Sequence, residues 1–370
     1  MDDWVFTIRQ RLRRSKRRLK FSAAALLFFR YRYLIGFILF GFLSIIVELV
    51  LLAAAIPNTW SANLRTVTAF AAGLLVSYVL NASLNFQVPR QHFWATFFRF
   101  AVVSVASFLL NMSVLGFVQA ELDTSYAISR LVTSGILFLL AYYVHRKLTF
   151  RLDRNFGIAV YASPKEHVRR VFLKVGRNCD HVHVDLVDKS FDSNAEVDLK
   201  KIQLARSLWP SVPFALHLMT RRPQCWIEAT LPYVDWYLFS LASDNPLEPL
   251  IAQCHLANKK VGVVWHVADP LHQLYAYLAH VDFVMVLGIA KPGFSGQKIA
   301  PLALDVINML ERIRSRYQFE LMFDGSVNSE TVSAIPARYV VAASSVLKAA
   351  QPARVIYTLK TGARHERRAA

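Results

Sequence analysis

Apolar residues fill four runs in the first part of the chain, 33–56, 67–86, 97–118 and 127–144. Each is close to the roughly 20 residues that a helix needs to cross the hydrocarbon core of a bilayer. After Arg154 the pattern changes to short strand-like runs near Ile158, His181, Phe214, Trp236, Val261, Phe283, Leu321 and Tyr339. Amphipathic stretches such as LKKIQLARSLW and LALDVINMLERIRSRY alternate with them. Eight strand and helix units, with strands apolar on both faces, fit a closed (β/α)₈ barrel better than an open doubly wound sheet. The expected architecture is a four-helix transmembrane bundle followed by an α/β TIM barrel. Its boundaries fall at a basic segment 1–32, helices 33–150, a barrel 155–360 and a basic tail 361–370.

Composition supports the membrane half, since 55% hydrophobic residues is too oily for an ordinary soluble protein. The net charge of +18 is concentrated near the start, in RQRLRRSKRRLK over residues 9–20. Beside an apolar span, such a block reads as a cytoplasmic retention signal that touches anionic headgroups. With no base-stacking aromatic platform beside it, no nucleic-acid partner is expected. The other basic ends, around 90–99 and 146–154, fall on the same side, while Glu121, Asp123 and a lone Arg65 lie on the opposite one. Positive charge therefore places both termini and the barrel in the cytoplasm, as a multi-pass protein of the inner (cytoplasmic) membrane. A cleaved signal peptide is the rival for the first run, but its length and its start near residue 33 count against that. Cys179, Cys225 and Cys254 are odd in number and lack CxxC spacing, so reduced thiols are expected rather than a disulfide framework or zinc knuckle.

The second and fourth runs end alike. SYVLNASLNF (77–86) aligns without a gap to AYYVHRKLTF (141–150), sharing Tyr78/Tyr142, Leu84/Leu148 and Phe86/Phe150, which suggests two helical hairpins in parallel repeat. Glu48 and Arg130 lie at similar depth in the first and fourth runs and could meet. Intramembrane charge marks a functional-site candidate, with a structural ion pair or a snorkelling Arg as the alternative. Asn81, Asn85 and Asn111 read as interhelical hydrogen bonding or as ligands. Through LNASLNF, HRKLTF and the spacing of the runs, residues 28–151 resemble the GtrA-like family of four-helix membrane proteins. The resemblance implies a role in moving or presenting polyprenyl-phosphate-linked sugars, with Ala82 where the family more often has a basic residue.

In a (β/α)₈ barrel, polar residues at the C-terminal strand ends are where chemistry is expected. His183 and Asp185, two apart in one strand, share a face; His217 ends the third strand and Asp324 the seventh. Two imidazoles and two carboxylates converging on one mouth can hold a divalent Zn, Fe, Mn or Co ion and leave room for a bidentate substrate.

These residues also carry a resemblance to ribulose-phosphate 3-epimerase over about residues 157–358. HVDLVD (183–188), LHLM (216–219), KPGFSGQK (291–298) and FDGSVN (323–328) occur in the family's order and spacing. The resemblance implies that His183, Asp185, His217 and Asp324 ligate the metal, with Asp185 and Asp324 as the acid/base pair. It implies a sugar-phosphate substrate near Ser163, Met219, Gly293, Phe294, Ser295, Gly296, Gly325, Ser326 and Ser345. Ser326 stands where the family has the second glycine of DGG, Ser344 where a late Gly-Ser would begin, and Lys189 at the glycine of MDG. Lys291 replaces a small polar or acidic residue, Val187 and Gly288 stand at two methionine positions, and Tyr161 falls at the first-strand serine, with Ser163 close enough to substitute. Retained ligands beside altered substrate-shaping groups leave three readings: epimerisation of ribulose 5-phosphate, of a related ketose phosphate, or a non-catalytic barrel serving a lipid-linked-sugar translocase. Homo-oligomerisation is left open.

Overall fold

The computed structural model describes residues 31–57, 59–88, 92–121, 126–150, 152–292 and 296–361. Residues 1–30 of the basic N-terminal segment, residues 362–370 of the C-terminal tail, Gly293, Phe294, Ser295 and the Arg130 side chain lie outside the described residues. The chain divides into two compact units, with the boundary between Leu152 and Asp153.

The first unit holds helices α1 (Tyr31–Ala55), α2 (Ala62–Leu80), α3 (Phe93–Glu121) and α4 (Tyr126–Val144). Among the described residues, three stretches are long and apolar enough to cross a membrane: Tyr31–Ala55, Asn63–Asn85 and Phe93–Leu115. The fourth predicted run folds as α4, whose 19 residues adjoin the undescribed segment 122–125. Phe42, Leu49, Trp94 and Phe98 are exposed, as side chains facing lipid would be.

The two aligned segments adopt one local structure twice. Each leaves its α-helix through a π-helical turn, Asn81–Asn85 and His145–Thr149. The Phe86 N–H donates to the Asn81 carbonyl at 2.8 Å, and the Phe150 N–H to the His145 carbonyl at 2.9 Å. The two phenyl rings then stack on each other, with centroids 3.8 Å apart. Widened turns of this kind occur mostly as single insertions into α-helices, frequently at functional sites.

The second unit is a closed parallel barrel in which β1 to β8 pair in chain order and β8 returns to β1. Its strands are β1 (Asn155–Tyr161), β2 (His181–Val187), β3 (Phe214–Met219), β4 (Trp236–Ser240), β5 (Lys260–His266), β6 (Phe283–Leu287), β7 (Glu320–Asp324) and β8 (Tyr339–Ala342). The helices are α5 (Val168–Val175), α6 (Leu199–Leu208), α7 (Gln224–Thr230), α8 (Glu248–Leu256), α9 (Leu271–Tyr275), α10 (Pro301–Tyr317), α11 (Ser344–Leu347) and α12 (Pro352–Thr361). Strands apolar on both faces are the consequence of this closure. Ile158, Val184, Leu216 and Phe323 pack outward under the helices, while Ala159, Ala215, Leu238, Met285 and Met322 fill the interior.

At the N-terminal end of the interior, His181 is fully buried among Trp236, Tyr339 and the glycine gap at 157, where any Cβ would overlap the imidazole. Neither ring nitrogen has a hydrogen-bond partner. Burial lowers its pKa from 6.5 to about 3, so the ring is neutral. Below about pH 6.5 the unfolded chain takes up a proton that the folded barrel refuses, so this residue costs stability as the pH falls. His181→Leu should stabilise the protein by about 1–2 kcal/mol at neutral pH, from the two unsatisfied nitrogens removed. The advantage should grow by about 2 kcal/mol at pH 5. Denaturant unfolding at both pH values checks it; an equal difference at the two would show that His181 is protonated alike in the folded and unfolded states.

The barrel ends are fastened together. The Asp153 and Arg154 N–H groups both donate to the Lys360 carbonyl, at 3.2 and 3.1 Å, and the Arg154 guanidinium donates to the Val332 and Ile335 carbonyls. The Lys360 ammonium lies 3.0 Å from Asp180, with side chains only 4% and 10% exposed.

Candidate active site

Strand register brings the polar residues to one level. Tyr161 on β1 pairs with Asp185 on β2, which pairs with His217 on β3, and β7 ends at Asp324. His183, Asp185, His217 and Asp324 each offer a ligand atom, and those atoms lie within 4.8 Å of one another. Nδ1 of His217 is 3.1 Å from Asp185 Oδ1, and Nε2 of His183 is 3.3 Å from the same oxygen and 3.8 Å from Asp324 Oδ2. The Gly325 N–H donates to Asp324 Oδ1 at 2.7 Å.

The donor set suits a divalent ion. His183 is completely buried, yet neither of its nitrogens makes an aligned hydrogen bond. Two carboxylates gathered in a buried site also call for a cation. Burial alone would raise the Asp185 pKa, but the charge of His183, approaching to 3.3 Å, and the hydrogen bond from His217 outweigh it and hold the carboxyl below its usual range. Burial pushes Asp324 up to about 7; His183 pulls against this and the Asp185 charge adds to it. Without an ion the two carboxyls are pushed apart, one ionised and one retaining a proton near neutrality; a bound cation would draw Asp324 down as well.

Two cavities adjoin the cluster. The inner one, about 360 Å³, is lined by Asp185, His217, Met219, Asp324, Gly296, Gly325, Ser326, Ser344 and Ser345. The outer one, about 730 Å³, is lined by Ser163, Lys165, Val187, Phe191 and Lys291. Tyr161, Asp185, Met219 and Pro292 belong to both. Tyr161 therefore holds the strand position beside the ligands, whereas Ser163 faces only the outer cavity. The Asp185 charge, followed by burial, pushes the Tyr161 phenol above its usual range, which keeps it a proton-bearing donor.

The departures from the family pattern have local reasons. Ser326 sits at φ +56°, a left-handed conformation where glycine would be unstrained. Its hydroxyl donates to the Gln297 carbonyl at 2.5 Å, tying the loop after β7 to the loop after β6. A side chain at Gly288 would overlap the Phe323 ring. Ser345 Oγ donates to the Val327 carbonyl at 2.8 Å. Lys291 reaches the outer cavity, while Lys189 lines neither. Sequence reading missed Lys348 and Glu166 in the inner cavity; neither sits at a strand end, so no periodicity marks them.

In the membrane unit, Asn85 Nδ2 donates to the Asn81 carboxamide oxygen at 3.0 Å and to the Tyr33 carbonyl at 2.9 Å, tying the end of α2 to the start of α1. Asn81 Nδ2 donates to the Ser77 carbonyl at 2.9 Å. Glu48 packs over Gly73 of α2, where a Cβ would overlap its carboxylate. The anticipated meeting of Glu48 with Arg130 falls on a side chain outside the described residues.

The sequence matches the model of the ribulose-phosphate 3-epimerase family over residues 159–347. The chain belongs to this family. A second match, to the GtrA/DPMS transmembrane domain, covers residues 36–150, so this family member carries a membrane domain ahead of its barrel. It is 29% identical over 154 residues to ribulose-phosphate 3-epimerase from Treponema pallidum, covering 41% of this chain and 70% of that protein. It is 25% identical over 210 residues to ribulose-phosphate 3-epimerase from Eremothecium gossypii, covering 52% of this chain and 86% of the relative. Within the epimerase-family barrel, the matched region spans all four clustered His and Asp residues.

Proposed function

We propose that the chain is a membrane-tethered, metal-dependent epimerase of a ketose phosphate, ribulose 5-phosphate or a related sugar, working beside lipid-linked sugar or surface polysaccharide synthesis. The observation that carries this reading is the cluster of His183, Asp185, His217 and Asp324 at the C-terminal mouth of the barrel. A divalent ion (Zn, Fe, Mn or Co) held by these four would supply Lewis-acid stabilisation of the negative charge that develops on the substrate's oxygens.

Asp185 removes the proton on the carbon next to the ketone as the carboxylate base. Asp324, across the cluster, returns a proton to the planar enediolate. Inversion follows when the two carboxyl groups serve opposite faces. Tyr161 donates to a substrate hydroxyl, and Met219 lends an apolar, polarisable wall. Gly325, Ser344, Ser345 and Lys348 receive the phosphate at the other end of the inner cavity.

The membrane domain holds the barrel at the cytoplasmic face of the inner membrane, with both termini cytoplasmic, and its own ligand is a polyprenyl-phosphate-linked sugar. Covalent linkage raises the local concentration of product beside that carrier. The test is deuterium uptake from D₂O, followed by NMR, on the purified chain with ketose phosphates and added metal. Uptake at the carbon next to the ketone supports the reading; no uptake with any sugar, in a folded and metal-loaded chain, rejects catalysis. Chelation should also lower the melting temperature of the barrel, because an ion present at 100 times its Kd stabilises by about 2.7 kcal/mol. An unchanged melting temperature would count against a bound ion.

A further inference from the structure

The barrel is almost balanced in charge, but helix α5 is not. Between His167 and Cys179 the chain carries Arg169, Arg170, Lys174 and Arg177 and no acidic residue. The inner face of α5 is apolar and buried through Val168, Val171 and Val175, against β1, α6, α11 and α12. Its outer face is formed by Arg169, Arg170, Leu173 and Lys174, all exposed, in two adjacent rows at helical spacing, with the exposed Arg177 just beyond the Gly176 cap. The Lys174 ammonium donates to the Leu347 carbonyl of α11. Leu173, in the middle of the cations, is 83% exposed. The nearby acids are occupied: Asp180 pairs with Lys360, and Glu166 accepts from the Tyr161 and His167 N–H groups. The neighbouring α12 adds the exposed Arg354.

A singly exposed leucine is ordinary, and Leu256 is equally bare; Leu173 differs in being bordered by cations, on a barrel joined to a membrane domain. Five residues, 150–154, separate the last helical turn of the membrane domain from β1, a length that spans about 20 Å when extended. So short a connection limits how far the barrel can move from the lipid surface.

We infer that the outer face of α5 docks on an anionic lipid surface, with Arg169 and Arg170 at the headgroups, Leu173 inserted beside them, and the charges of Lys174, held at the Leu347 carbonyl, and Arg177, past the helix end, adding to the attraction. Basic residues around an apolar side chain match an anionic interface on both counts. A zwitterionic bilayer would satisfy only the leucine.

The test uses the full chain in liposomes. Cys225→Ser removes the exposed thiol, leaving Cys179 and Cys254 buried. An environment-sensitive fluorophore is then attached through Leu173→Cys or, as control, through Leu256→Cys on α8, which is 87% exposed. In vesicles containing phosphatidylglycerol, the label at 173 should shift to the blue and be quenched by a lipid-borne nitroxide. The label at 256 should do neither. High salt should reverse the shift at 173. Combining Arg169→Glu with Arg170→Glu should cut the quenching by about tenfold or more. Equal signals at the two positions, or a signal at 173 indifferent to lipid charge, would overturn the inference. The outcome is independent of whether the barrel epimerises any sugar.

Discussion

Asp185→Asn should lower α-proton exchange by about 10²–10⁴-fold, the range expected when a positioned general base is lost. The carboxamide has nearly the same shape, and Asp185 is held by His183 at 3.3 Å and His217 at 3.1 Å, so the barrel should remain closed. Bound metal, measured by elemental analysis, separates two contributions. Exchange lost with the ion retained isolates the base; exchange and ion lost together assign the larger part to ligation. Asp324→Asn should be similarly severe, and the double variant little worse than either single one, since residues that act as a unit are not additive. Full exchange in Asp185→Asn would remove this carboxylate from the mechanism.

Lys360→Met carries the largest expected structural cost. It strands Asp180 in a site where both side chains are nearly inaccessible, and breaking such a buried pair from one side costs about 3–5 kcal/mol. Asp180 also accepts from the Phe156 N–H at 3.0 Å, so its charge is not fully abandoned. Adding Asp180→Asn should recover most of the loss, because the neutral amide needs no cation. Unfolding midpoints in denaturant read both changes. If Lys360→Met leaves the midpoint unmoved, desolvation already offsets the attraction in the native pair.

The barrel was legible because closure forces eight strands to be apolar on two faces, and a period change at Arg154 announces it. The site was legible because His183 and Asp185 sit two apart at the C-terminal end of a strand, where barrel chemistry is expected, whereas His181 on the same inward face lies at the other end and belongs to the packing. What escaped depends on other information. The π-helical turns at Asn81–Asn85 and His145–Thr149 are differences of one hydrogen-bond step, which leave no mark on hydropathy even though the aligned segments did reveal that the ends correspond. The choice between Tyr161 and Ser163 needed strand register, because residues two apart share a face and alternation alone cannot tell them apart. The Lys360 clamp pairs residues 180 apart in the chain, and no local pattern encodes such a partner. Lys348 caps the end of a four-residue helix too short to show a period.

The glycine at 157 also makes two strands share one volume. Its missing side chain is the space that His181 occupies, so a methyl group can enter 157 only if the side chain at 181 shrinks or moves aside. The constraint runs one way: position 181 can lose its imidazole while 157 stays glycine, but 157 cannot gain a side chain while the imidazole stays in place. Position 157 is thus conditional on its neighbour across the strand pair, although neither residue touches the chemistry at the opposite end.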